Sequence, residues 1–105
     1  MNIEELSNVA MEIIAYAGSA KSYYLTALQK YKEYEEKEGK ELIIKGDDAI
    51  LIAHQSHAKL LAKEMQENNP QISLLLTHAE DQLMGAETIR ILVEELKIIH
   101  LKTGG

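Results

Sequence analysis

Leu6–Tyr31, LSNVAMEIIAYAGSAKSYYLTALQKY, is the stretch that decides the fold. Leu6, Ala10, Ile13, Ala17, Ala20, Tyr24, Ala27 and Tyr31 recur at alternating steps of four and three, which lines one face of a long helix. Asn2 with Glu5 three residues later has the form of a capping box. The helix is therefore predicted to start at Ile3 and run to about residue 33. Small residues crowd its middle at Ala15, Ala17, Gly18, Ser19 and Ala20. A glycine there costs about 1 kcal/mol against alanine. Close approach of a neighbouring helix is the expected compensation.

Working outward, two more helices follow. The second is predicted over about 37–68, with Ile43, Ile50, Ala53, His57 and Leu60 as its seam and Gly46-Asp47-Asp48 as a soft spot. The turn before it is placed within Tyr34–Gly39, because one helix running through to Asn68 is too long for a domain of this size. Asn68-Asn69-Pro70 ends the second helix and offers an Asn cap with Pro at the first position of the third. That third helix is predicted over about 70–102, and Thr103-Gly104-Gly105 reads as its frayed end. The expectation is an all-α fold, an antiparallel three-helix bundle forming a single domain over residues 1–105.

The third helix is apolar on more than one side. At about 100° per residue, Leu74, Leu92 and Ile99 fall roughly opposite Ile72, Leu76, Leu83 and Leu101. Two neighbours cannot cover a helix all round, so a homo-oligomer is expected.

Composition bounds the function. Apolar residues make up 46% of the chain, Trp and Phe are absent, and five Tyr are the only aromatics. This suits a small Leu/Ile/Ala helical core. The net charge of −6 argues against a nucleic-acid surface and against an anionic membrane. Without Cys there is no disulfide framework, thiolate nucleophile or thiolate metal site. Met1-Asn2-Ile3-Glu4-Glu5 is acidic where a secretory leader is basic. The apolar runs of the third helix are cut by Arg90, Glu94 and Glu95, so no membrane insertion is expected. A cytoplasmic protein is the resulting expectation.

The chemistry-bearing turn is His78-Ala79-Glu80-Asp81-Gln82-Leu83-Met84. His78, Asp81 and Gln82 share one face of the helix by their spacing. A neutral imidazole attacks phosphorus without a general base, since no proton must leave the attacking nitrogen, and phosphoryl transfer is mostly positioning and charge stabilisation. The plainer reading is a half-buried helix histidine bonded to a neighbour. If the oligomer brings several Asp81 carboxylates together, they must share a proton or bind a cation, and a hard divalent ion such as magnesium fits oxygen ligands. A solvent-facing Asp81 is the alternative. His54 and His57, spaced i, i+3, could hold zinc only if further ligands arrived. Both are read as structural, as is His100 near the end of the third helix.

Three stretches resemble the lactose/cellobiose-type enzyme IIA of the bacterial phosphoenolpyruvate-dependent sugar phosphotransferase system. They are Glu12–Ser22, similar to the family's Tyr-Ala-Gly-Asp-Ala-Arg-Ser, Ala53-His54, and Ser73–Met84, similar to its His-Ala-Gln-Asp-His-Leu-Met. The resemblance implies a homotrimer of three-helix subunits, nine helices in all. It implies that His78 accepts a phosphoryl group from the carrier HPr and passes it to a cysteine of enzyme IIB, during uptake of a β-linked disaccharide such as cellobiose, chitobiose or lactose. It implies that Asp81 from each subunit binds the metal on the trimer axis.

Of the chain's departures from that pattern, three bear on the chemistry. Gln82 stands where the family has a second His, and it can donate a hydrogen bond but carries no charge. Glu80 stands where Gln is common and adds negative charge. His57, where Gln is also common, could replace the lost imidazole if its helix lies close enough. Gln82, Glu80, His57 and His54 are therefore candidate phosphoryl-contacting or supporting residues. Gln82 and Glu80 are also the grounds for the alternative, a non-catalytic trimeric interaction or regulatory protein of the same ancestry.

Overall fold

The heptad-spaced residues of the first helix converge on one buried line. In the computed structural model, which describes residues 2–68 and 73–103, α1 spans Ile3–Lys32. Its buried residues are Leu6, Ala10, Ile13, Ala17, Ala20, Tyr24, Ala27 and Tyr31, the predicted seam without exception. The Asn2 side chain accepts a hydrogen bond from the Glu5 backbone N–H at 2.8 Å, as an N-cap does. The Glu5 carboxylate instead turns to Lys63, 3.6 Å away.

α2 spans Glu36–Glu67. The turn that joins it to α1 passes through Tyr34, whose φ of 62° lies in the left-handed region. There the Glu35 N–H bonds back to the Lys30 carbonyl at 2.9 Å. α2 ends at Asn68, also left-handed, a conformation that asparagine tolerates. α3 spans Leu74–Thr103 and is capped by Ser73, whose Oγ accepts from the Leu76 N–H at 3.0 Å. The expected roles of Asn69 and Pro70 at this break, the place of Ile72 and the frayed Gly104-Gly105 end lie outside the described residues.

The three helices run up, down and up in a rod of 55 × 20 × 17 Å. α1 packs closely along both neighbours, whereas α2 and α3 meet each other sparsely. Two devices set the α1–α2 register. Tyr24 and Tyr31 are fully buried, and their rings occupy the space beside Gly46 and Gly39. A Cβ on Gly39 would stand 2.7 Å from Tyr31 Cδ1, and one on Gly46 would stand 2.7 Å from Tyr24 Cδ1. Burying such a ring removes about 150 Å² from water, which is worth up to roughly 4 kcal/mol each.

These sockets correct two expectations. The close approach anticipated at Gly18 is absent within the protomer, because a Cβ there would meet nothing within 4 Å. The approach occurs instead at Gly39 and Gly46. The soft spot at Gly46-Asp47-Asp48 is unbroken helix: Gly46 receives Tyr24, and Asp47 bonds the Tyr24 hydroxyl at 2.7 Å. In the α2 seam Ile43, Ala53 and Leu60 are buried as expected, while Ile50 and His57 are only partly covered.

α3 has the two apolar sides its sequence demanded. Leu76, Ala79, Leu83, Ala86 and Val93 are buried in the core. Leu74, Met84, Ile91, Leu92, Ile98 and Ile99 face outward and are exposed in the protomer.

Candidate functional site

The first turns of α3 distribute their polar residues over three directions. Leu76, Ala79 and Leu83 anchor the segment in the core. Glu80 and Glu87 lie on the edge facing α2. There the Glu80 carboxylate meets His57 Nε2 at 2.8 Å, and Glu87 meets His54 Nε2 at 3.2 Å. Gln82 lies on the edge facing α1, where its Oε1 accepts a hydrogen bond from Lys21 Nζ at 2.6 Å. His78 and Asp81 point away from the core and are exposed. Among the described residues, neither has a hydrogen-bond or ion-pair partner.

The structure thus sorts the six candidates into separate groups. His78 and Asp81 form an outward pair toward the N-terminal end of the face that carries Leu92 and Ile99. Gln82 sits one helical turn from His78, tied to α1. The recorded partner of His57 is Glu80, so its imidazole is committed to a carboxylate on the α2 side of α3. That same contact occupies the Glu80 charge. His54 is strapped to Glu87, one level along the same seam.

Lys21, Asp47 and Arg90 are polar groups that pattern reading left out. Arg90 donates to both carboxylate oxygens of Asp47, at 2.6 Å from Nε and 2.9 Å from the other guanidinium nitrogen. This fork, with the Tyr24 hydroxyl added, holds Asp47 below the usual carboxylate range. Burial, and then Asp47 itself, push the Tyr24 hydroxyl well above the usual phenol value. The triad pins the waist of the bundle, where α1, α2 and α3 converge. Only the interruption of an apolar run by Arg90 hinted at it.

A cleft of about 420 Å³ lies beside the triad, lined in part by Leu51, His54, Glu87 and Ile91. It opens between α2 and α3 on the seam edge, and His78 is not among its lining residues. As for a metal, the described residues of one protomer contain no cluster of three or more His, Cys, Asp or Glu able to hold an ion. Asp81 alone offers one unengaged carboxylate. It fits a cation only where other copies of the chain contribute the remaining oxygens.

An exposed imidazole on a rigid, capped helix can exchange a group with another protein, because nothing walls it off from a docking partner. Comparison with known proteins gives the chain a family. Residues 8–101 match the model described as PTS system, Lactose/Cellobiose specific IIA subunit. The chain is 38% identical to the lactose-specific EIIA component of Streptococcus mutans, over 91% of this chain and 92% of that protein. It is 34% identical to the oligo-beta-mannoside-specific EIIA component of Bacillus subtilis, over 91% and 89%. The crystal structure of the cellobiose-specific enzyme IIA from Bacillus anthracis superposes with a TM-score of 0.87 at 32% identity, covering 97% of this chain and 92% of that one. No helix among the described residues is long and apolar enough to cross a membrane. Matched along nearly its whole length in sequence and in fold, the chain belongs to the lactose/cellobiose-specific IIA family and is a phosphotransferase component of the sugar phosphotransferase system.

Proposed function

We propose that the protein is a phosphohistidine carrier in which His78 accepts a phosphoryl group from HPr and passes it to a cysteine of enzyme IIB. The observation that carries this reading is the outward, unpartnered imidazole of His78 on a helix capped and packed by its neighbours. The lone pair of a neutral ring nitrogen forms the new N–P bond as the donor's N–P bond breaks. The displaced electron pair returns to the donor ring, and no proton has to leave the attacking nitrogen. The relatives are named as lactose-, cellobiose- and oligo-beta-mannoside-specific components, which supports a β-linked saccharide, such as a disaccharide, as the transported sugar. The reaction belongs in the cytoplasm, where those partners meet.

The working form in this reading is a homotrimer. Its support is the outward apolar side of α3, with Met84, Ile91, Leu92, Ile98 and Ile99 exposed in the protomer. Three such faces packed together bring three Asp81 carboxylates toward one axis. A divalent cation, most simply magnesium, offsets their mutual repulsion there. That ion supplies charge neutralisation at the interface and takes no part in the transfer step.

The test is incubation with phosphoenolpyruvate, enzyme I and HPr. Wild type should gain one acid-labile phosphoryl group per chain, and His78→Ala should gain none. An unlabelled wild type, under conditions that label another IIA, overturns the carrier reading. It would favour the non-catalytic interaction protein. The pairing of Glu80 with His57 weakens one ground for that alternative, since the added charge is engaged on the far edge of α3.

A further inference from the structure

We infer that Lys21 supplies the positive charge that the phosphorylated state of His78 requires, resting on the carrier reading above. The chain meets a shortage of cations at this turn. A phosphoryl group on His78 adds negative charge beside Asp81, which is exposed and has no partner within the protomer. Gln82 can donate a hydrogen bond but has no charge to offer. Of the lysines and arginines among the described residues, Lys21 is the one recorded against the turn. Its ammonium lies 2.6 Å from Gln82 Oε1 and is partly buried between α1 and α3.

The geometry brings Lys21 to the edge of α3 one helical turn from His78. Gln82 follows His78 by one turn on the same face, so their Cβ atoms are roughly 5–6 Å apart. α1 and α3 run in the same direction, as the pairing of Lys21 with Gln82 and of Lys97 with the Tyr31 ring shows. Helical side chains lean toward the N-terminus of their own helix. Lys21 meets Gln82 by leaning toward the N-terminus of α1, which is the direction of His78. The two donors of the Gln82 amide nitrogen remain free to face the same oxygens while Oε1 holds Lys21. In the unphosphorylated protein the ammonium is parked on a neutral acceptor. When phosphorylated, a phosphoryl oxygen becomes the stronger acceptor, and rotation of the flexible lysine stem moves it there. No proton is transferred in that rotation. Lysine here acts as a mobile point charge rather than as an acid.

The experiment measures the equilibrium of phosphoryl exchange between phospho-HPr and wild type, Lys21→Gln and Lys21→Arg, together with their thermal unfolding. Lys21→Gln should lower the phosphorylated fraction at equilibrium by about tenfold in the exchange constant, the scale of one charge-assisted hydrogen bond. Lys21→Arg should restore it to within about threefold, since the charge is kept. Melting temperatures should stay together, so that a structural loss is not mistaken for a loss of charge. Equal exchange constants for wild type and Lys21→Gln overturn the assignment and leave the carrier reading standing. So does failure of Lys21→Arg to restore the constant. An unlabelled wild type overturns the carrier reading itself and the role of Lys21 with it.

Discussion

Gly46→Ala should destabilise the bundle although alanine is the better helix former. The substitution gains about 1 kcal/mol of helix propensity. Against this, the new Cβ would stand 2.7 Å from Cδ1 and 2.9 Å from Cζ of Tyr24, and closer still to Cε1. Tyr24 is fully buried, so any shift of its ring, even toward the cleft beside the triad, breaks packing it now makes. Overpacking of this kind costs about 1–3 kcal/mol. Displacing the ring also strains the hydroxyl's 2.7 Å bond to the Asp47 carboxylate, and a hydrogen bond to a charged group contributes about 1.5–3 kcal/mol. The sum is a net loss of about 3 kcal/mol, which at a urea slope of about 2 kcal/mol/M lowers the midpoint by about 1.5 M.

Gly18→Ala is the internal control. A Cβ there meets nothing within 4 Å, so the propensity gain survives and the midpoint should rise slightly. Urea titrations followed by circular dichroism, at one chain concentration for every variant, measure both effects. Placing Gly46→Ala in a Tyr24→Leu background removes the ring, and most of the alanine's cost should vanish as a coupling energy. A Gly46→Ala midpoint equal to wild type, or an unchanged cost in the Tyr24→Leu background, refutes the socket argument.

Two further outcomes follow from the waist and the outer face. Arg90 lowers the folded-state value of Asp47, so the stabilisation is fully present above the unfolded carboxylate value of about 3.9 and disappears as pH falls through the lower folded value. Arg90→Met should therefore be less stable than wild type by about 1 kcal/mol at pH 7, a figure discounted for the part-exposed pair. The difference should shrink below pH 4 in urea titrations; an equal difference at both pH values contradicts it. Asp81→Asn should leave protomer helicity unchanged while removing the effect of magnesium on assembly in sedimentation runs with and without chelator. A wild-type assembly indifferent to magnesium would count against the axial cation.

How far the chain could be read in advance depended on what kind of signal each residue carries. The α1 seam was legible because its apolar and small residues alternate by four and three with polar ones between, and all eight proved buried. The α2 seam was legible only in part. Gly39, Gly46 and Ser56 are buried, yet a glycine roofed by a tyrosine from another helix leaves no hydropathy signal of its own. The apolar excess of α3 announced its second face, and the structure exposes Leu92 and Ile99 there while burying Leu76 and Leu83. At the site, motif likeness singled out His78 and Asp81. The pairing of Glu80 with His57 and of Gln82 with Lys21 was not legible. These pairs depend on which edge of α3 meets which helix, and only the tyrosine sockets and the packing register decide that.

The uneven packing of the three helices has a mechanical consequence. α1 is a spine shared by both neighbours, whereas α2 and α3 are joined across their own seam mainly by the straps His54–Glu87, His57–Glu80 and Asp47–Arg90. Loss of those straps would open the α2–α3 side first, since α1 packs along both of its neighbours. A wedge driven into that seam would therefore disturb the least packing of any side of the bundle.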